Sequence, residues 1–305
     1  MKKWIIIALI ASLAGVLLMG IGVLFQAKTT MYIDANGIHT AGAADNMPIV
    51  EKNLEDVTSI DIDVMSGNIE IAIGDSFGIE IINRHAPQVI YSLHDGRLSV
   101  RQPEVSPLSF LSGFSFNLNF QDNSVKVTVP REAVLAGVSV STASGNVSLA
   151  GLQCGKVEVE AISGRVVIAD ITAGTLTAEA TSGKISIERV TADHMNLSNI
   201  SGGIAASDIE TKGIEAEVVS GGMEIRGKML GKCEFDNISG KIELFFEGQA
   251  AEYSCVAETL SGGISINGRK NDFSVFSPSA ANSIRAEAIS GNISIAFEER
   301  SVIDG

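Results

Sequence analysis

Glu160, Glu179, Glu217, Asp236 and Glu258 each stand three residues before a serine that glycine follows. Asp63 and Glu287 hold the same place in further copies, and Ser141 and Ser198 replace the acid in two others. Two residues earlier come Glu158, Glu215 and Glu234. If each copy is one turn of a stacked structure, these acids form a strip with neighbours about 4.8 Å apart. Like charges at that spacing repel by roughly 1 kcal/mol even in water. Two chemistries fit such a strip. One is a solvated face kept charged against aggregation. The other is a site for a metal cation or a polycation, since carboxylate oxygens suit Ca²⁺. The chain lacks the glycine-aspartate nonapeptide of calcium-binding rolls, so the metal reading rests on the strip alone.

Other reactive side chains are sparse. His39, His85, His94 and His194 share no metal-ligand spacing. A G-x-S-x-G elbow, a Cys-His pair, a phosphate loop and an H-E-x-x-H motif are all missing. A solenoid lyase or hydrolase needs acids and bases converging on one face. The outer columns offer Arg165, Lys184 and Lys241, interrupted by Gly203 and Gly222. No catalytic residue and no cofactor is therefore expected, with a β-helix carbohydrate-active enzyme as the rival reading. Asn146, Asn196, Asn199, Asn237 and Asn292 open N-x-Ser triplets that fall out of the repeat itself.

What would hold the acids in line is a repeat. Ser-Gly recurs at Ser144, Ser163, Ser182, Ser201, Ser220 and Ser239, a step of 19 residues, with looser copies at Ser66, Ser261 and Ser290. Six and four residues before the serine, and three and five after it, the positions are apolar: Val157, Val159, Val166 and Ile168 in one copy. The residue just before the serine is mostly Ile, Val or Leu. Strict alternation with β-branched residues means two short strands per copy. Gly145, Gly164, Gly183, Gly202, Gly221, Gly240, Gly262 and Gly291 would turn the corner between them, where a Cβ is resisted. Strands this short must stack in parallel, each unit burying its apolar face on its neighbours. The expected fold is all-β: a single-stranded parallel β-solenoid of 19-residue coils, right-handed as parallel crossovers are.

Three cysteines, Cys154, Cys233 and Cys255, cannot all be paired within one chain. Cys233 and Cys255 both fall six residues before a serine, 22 apart. The surplus is expected to bulge between Phe246 and Ser254. That puts the two thiols on adjacent coils with Cα atoms about 5 Å apart. Because large aliphatic residues fill the rest of this column, buried reduced thiols are expected, with a bridge as the alternative.

The chain begins MKKW, and no charge occurs from Trp4 to Phe25. That stretch spans roughly 33 Å as a helix, enough for a bilayer core. Lys2 and Lys3 place its N-terminus inside and the remainder outside the cytoplasmic membrane. A cleaved signal peptide would have a shorter apolar region and a better site than Phe25-Gln26-Ala27. The expected domains are a stub and signal-anchor helix over 1–26, a membrane-proximal linker over 27–58, a solenoid over 59–298 and a tail over 299–305. Insertions at 103–123 and 268–283 interrupt the solenoid. The first carries Phe110, Phe114, Phe116 and Phe120, which either cap the apolar bore or form a partner patch. The last coil, ending in Glu298-Glu299-Arg300, is expected to close the stack with charge. Of 22 Lys and Arg only Lys2 and Lys3 precede the apolar run, against 36 Asp and Glu, so the remainder carries −16. That argues against nucleic acid or anionic lipid as partner and leaves a protein or a cell-envelope polymer.

MSGNIEI at 65–71, VKVTVP at 125–130, and the copies ASGNVSL, ISGRVVI, TSGKISI and ISGKIEL carry a resemblance. Over roughly Ile60 to Phe297 the chain resembles the bacterial putative-adhesin family, a β-strand-repeat domain of unknown function common in Gram-positive membrane proteins. The resemblance implies a β-helical extracytoplasmic domain on a membrane anchor, without established catalysis. It also suggests an alternative role as an accessory or sensor subunit of an envelope-stress system.

Overall fold

The computed structural model describes residues 31–34, 37–40, 48–83, 89–102, 123–271 and 280–298. The chain divides into two units. In the first, the described residues are an antiparallel pair, Met31–Asp34 with Gly37–Thr40. The second unit holds the repeat. Trp4–Phe25 lies outside the described residues, as do Phe110, Phe114, Phe116 and Phe120. Among the described residues no helix is long and apolar enough to cross a membrane.

The described chain is all-β apart from one short 3-10 turn at Ala250–Glu252. Alternation does what the pattern requires: Val157, Val159, Val166 and Ile168 point inward and are fully buried. The first strands pair in parallel at an offset of 19 residues, Val157 beside Val138 and Leu176. Extended backbone then continues through successive corners from Val166 to Ser239. Serines stack on serines, as in Ser144 with Ser163 and Ser163 with Ser182. All eight corner glycines have φ between +119 and +156. At Gly183 a Cβ would meet the Gly164 carbonyl oxygen at 1.9 Å, so both backbone conformation and stacking demand glycine.

The coils do not stack in sequence order at either end. Ser59–Ser66 lies between Arg97–Arg101 and Val134–Ser144, so the coil that follows it in sequence precedes it in space. At the other end Asn282–Ser290 is inserted between residues 232–239 and Tyr253–Ser261. Ile293–Glu298 likewise lies between Ile242–Glu247 and Ile264–Ile266. This corrects two expectations. The last coil in sequence does not close the stack; the coil over 253–266 lies beyond it. Cys233 and Cys255 are not neighbours either, because Ile284 separates them, putting the two ladder positions about 9.6 Å apart. All three cysteines are buried as free thiols. The reason is packing that no single column reveals. Phe297 stacks on Phe246 at 5.6 Å and lies 5.4 Å from Tyr253. The 3-10 turn lets the chain climb two steps and leave room for that coil.

Antiparallel strands border the outermost coils. Ile90–His94 runs against Arg97–Arg101, and Gly78–Ile82 against Ser124–Pro130. Arg269–Asn271 runs against Ile264–Ile266. Such strands occupy edges that would otherwise invite further pairing. Ile49–Lys52, read from sequence as linker, pairs with Gly78–Ile82 and belongs to this border.

Candidate functional site

In each first strand the odd positions before the serine face outward, so the columns one, three and five residues before it share one outer face. The acid column runs, in stacking order, through Asp63, Ser141, Glu160 and Glu179. Beyond Ser198 and Glu217 it ends with Asp236, Glu287 and Glu258. Two residues on, the column before the serine is mostly apolar and exposed, with Met65, Ile162, Ile200, Val219, Ile238, Ile289 and Leu260, broken only by Ala143 and Thr181 near the first coils. Leu260 is 85% exposed and Ile289 54%. Small or medium side chains such as Ala161, Ala180, Asn237 and Ala288 lie between the two columns and point inward. The result is an acidic rail and an apolar rail about 6.7 Å apart, separated by a shallow floor.

Grooves open along this face at both ends. The one over the last coils, about 450 Å³, is lined by Asp236, Ile238, Glu258, Leu260, Glu287 and Ile289 among others. The one over the first coils, about 330 Å³, is lined by Asp63, Met65, Glu160, Ile162, Glu179 and Ile200 among others. Asp236 feels its place on the rail. Burial, then Glu287 and Glu217, push its carboxyl above the ordinary range, against a smaller pull from Arg285. Among the described residues, no ion pair reaches Glu160, Glu179, Glu217 or Glu258. The acids two residues earlier fare differently, with Lys156 on Glu158 at 2.5 Å and Lys232 on Glu234 at 2.7 Å. Arg285 pairs with Glu287 at 2.5 Å.

At the first coils the rail is met by cations. Arg101 occupies the position beside Asp63 and donates from Nη1 to Asp61 Oδ1 at 3.0 Å. Arg97 bonds the same carboxylate. Burial alone would raise the Asp61 pKa; the bonds from Arg101 and Arg97 outweigh it and hold the group below the ordinary carboxylate value.

The acids read as a strip, Glu160, Glu179, Glu217, Asp236 and Glu258, do share one face, with Glu287 inserted between the last two. Among the described residues no three His, Cys, Asp or Glu side chains converge on a point a metal could occupy. Lys184 and Lys241 border a separate notch of about 660 Å³ floored by Gly203 and Gly222, with Glu224 and Glu243 beside them. Three features escaped the sequence reading. The exposed apolar rail was legible in parity, since an odd offset from the serine must face outward. Asn199 and Asn237 are buried and donate to the corner carbonyls of Gly183 and Gly221, both at 3.0 Å. The Asp61 clasp depends on the swapped first coils.

Residues 52–299 match the model of the Toastrack DUF4097 family. No curated protein matches the chain. Among solved structures, a putative adhesin from Bacteroides fragilis is similar at 16% identity, with 83% of this chain and 98% of that one covered and a TM-score of 0.49. A putative adhesin from Parabacteroides distasonis is similar at 13% identity, with 83% and 98% covered and a TM-score of 0.43. A putative lipid binding protein from the same species is similar at 16% identity, with 84% and 98% covered and a TM-score of 0.44.

Proposed function

Because the chain belongs to the Toastrack DUF4097 family, we propose that it is a membrane-anchored extracytoplasmic binding module, adhesin-like and without catalysis or cofactor. In this reading residues 4–25 span the cytoplasmic membrane once, with the N-terminus inside. The repeat then stands outside as a right-handed parallel β-solenoid. Its partner is a protein or a cell-envelope polymer that lies across many coils.

The observation that carries the proposal is the pair of rails on one outer face. A catalytic site concentrates unlike groups at a point, whereas here like groups repeat coil after coil. Eight ladder steps make the face about 38 Å long, a span suited to an elongated partner.

Two measurements test it. Protease added to intact cells or protoplasts should remove the solenoid, and protection until lysis would overturn the topology. A photo-crosslinking residue at Leu260 should capture a partner in living cells, while one at Asp208, away from the rails, should not. Absence of any product at Leu260, Ile238 and Ile162 alike would overturn the binding role of this face.

A further inference from the structure

The trough over the last coils selects the shape and charge of what fills it. Solvent-facing apolar residues on a monomer are normally scattered singly. Here Ile238, Ile289 and Leu260 follow one another on consecutive coils, 48%, 54% and 85% exposed. Beside them, two residues earlier on the same strands, stand Asp236, Glu287 and Glu258. An anionic lipid surface or a nucleic acid would be repelled by this acidic rail lying beside the apolar one. A complementary partner carries cations next to an apolar stripe.

Spacing then separates the conformations such a partner could adopt. The rails repeat about every 4.8 Å. An extended peptide lying along them presents same-face side chains about every 6.8 Å and loses step by about 2 Å at each one. An α-helix returns to the same face every 5.4 Å. It drifts by only about 0.6 Å per turn and stays within about 2 Å of register over three turns.

We propose, resting on the binding role of this face, that the trough over the last coils holds a cationic amphipathic helix along the stacking direction. Its apolar stripe covers Ile238, Ile289 and Leu260, and its Lys or Arg side chains approach Asp236, Glu287 and Glu258. The field at Asp236 agrees with this. Glu287, Glu217 and Glu234 all disfavour its charge, and the cation acting on it, Arg285, is already bonded to Glu287. An arriving cation would relieve that repulsion.

The test uses the full chain in nanodiscs of zwitterionic lipid, with empty nanodiscs as the blank. The probe is a fluorescent 14-residue peptide of Lys and Leu patterned as an amphipathic helix, followed by anisotropy. The double variant Glu258→Gln/Glu287→Gln and, independently, Leu260→Ser should each raise Kd at least tenfold, while Asp208→Asn should not change it. A peptide of the same composition with strictly alternating Lys and Leu should bind at least tenfold more weakly. Equal binding of the two peptides, indifference to both variants, or no binding overturns the proposal. The binding role itself is judged separately. A crosslink at Leu260 in cells without helix binding would sink the helix and leave the face a binding surface. Failure of both would sink both.

Discussion

The two ends of the stack are built alike and charged differently. Each end inserts a coil out of sequence order, and each borders its outermost coil with antiparallel strands. At the first coils Arg97 and Arg101 clasp Asp61, and Arg101 stands beside Asp63 at the head of the acid rail. At the last coils the rail ends in three stacked acids, with Arg285 alone among the cations described there bonded to one of them. Folding imposes no such asymmetry, because the backbone ladder is the same at both ends. Beyond the second strand of each coil, stacked charges do alternate in this repeat: Arg189 bonds Asp170 on the coil below, and Lys212 bonds Asp193. Among the described residues, unpaired acids thus stand on the rail at both ends. Only at the last coils, however, do Asp236, Glu287 and Glu258 follow one another without the break that Ser141 makes at the first. That run disfavours the native state slightly and favours a cationic partner.

The largest effect concerns the corner on which both ends depend. Gly183→Ala places a Cβ 1.9 Å from the Gly164 carbonyl at φ +119. A loss of about 3 kcal/mol or more is expected in denaturant melts. Gly222 is the control. Its Cβ would find nothing closer than the Lys241 carbonyl at 3.7 Å, so Gly222→Ala should stay within about 1 kcal/mol of the parent. Equal effects of the two would mean that the corners are not stacked glycine on glycine.

Next comes the clasp. Asp61 has a lowered pKa, so its contribution is present above the unfolded carboxylate value and lost as pH falls through the folded one. Asp61→Asn should therefore cost about 1–2 kcal/mol at neutral pH, discounted for the exposure of both arginines. The gap should close in acid. A cost that is constant with pH would assign Asp61 a packing role instead.

Asp236 should behave with the opposite sign. Its pKa is raised, so the native state holds the proton more firmly than the unfolded chain. Stability then falls as pH rises from the unfolded value through the folded one. Asp236→Asn is expected to stabilise by about 0.3–0.5 kcal/mol at neutral pH and low salt. The gain should fade with added salt and vanish below the ordinary carboxylate range. Destabilisation at neutral pH would show that the last coils neutralise their acids after all, and the contrast between the ends would go.

How much of this was legible depended on the range of the signal. A column of like residues is local, so the strands, the corner glycines and the acid strip could be read directly. A second corner after the second strand was legible as well, but not its exact place. It is marked by glycine only at Gly151 and Gly227, while Asp170, Arg189 and Asp208 adopt left-handed φ of 53–55° there instead. Coil order was hidden for a deeper reason. Every coil carries the same columns, so Ile284 fits beside Cys233 as well as Cys255 does. What separates the arrangements lies outside the columns, in the aromatic packing of Phe246, Tyr253 and Phe297 and in contacts such as Asn282 with Gly231. The candidate site inherited that ambiguity, since the succession Asp236, Glu287, Glu258 follows from the order of the coils.

The smallest expected effect tests that order. Burial raises the thiol pKa of Cys233 and Cys255 to about 12, so neither forms thiolate at neutral pH, and the thiolate is the species that reacts. Both should resist alkylation in the native chain and label only on unfolding, leaving stability and charge untouched. Resistance alone fits either order of coils, so the outer positions beside them must decide. Glu234 lies beside Arg285, and Arg285 beside Val256. Adjacent ladder positions fall within disulfide reach, whereas two steps, about 9.6 Å, exceed the limit of about 7 Å between Cα atoms. On mild oxidation the pair Glu234→Cys/Arg285→Cys should bridge and Glu234→Cys/Val256→Cys should not, read by mass spectrometry of the native protein. The reverse result would restore sequence order to the last coils. Asp236 and Glu258 would then be neighbours, with Glu287 beyond them.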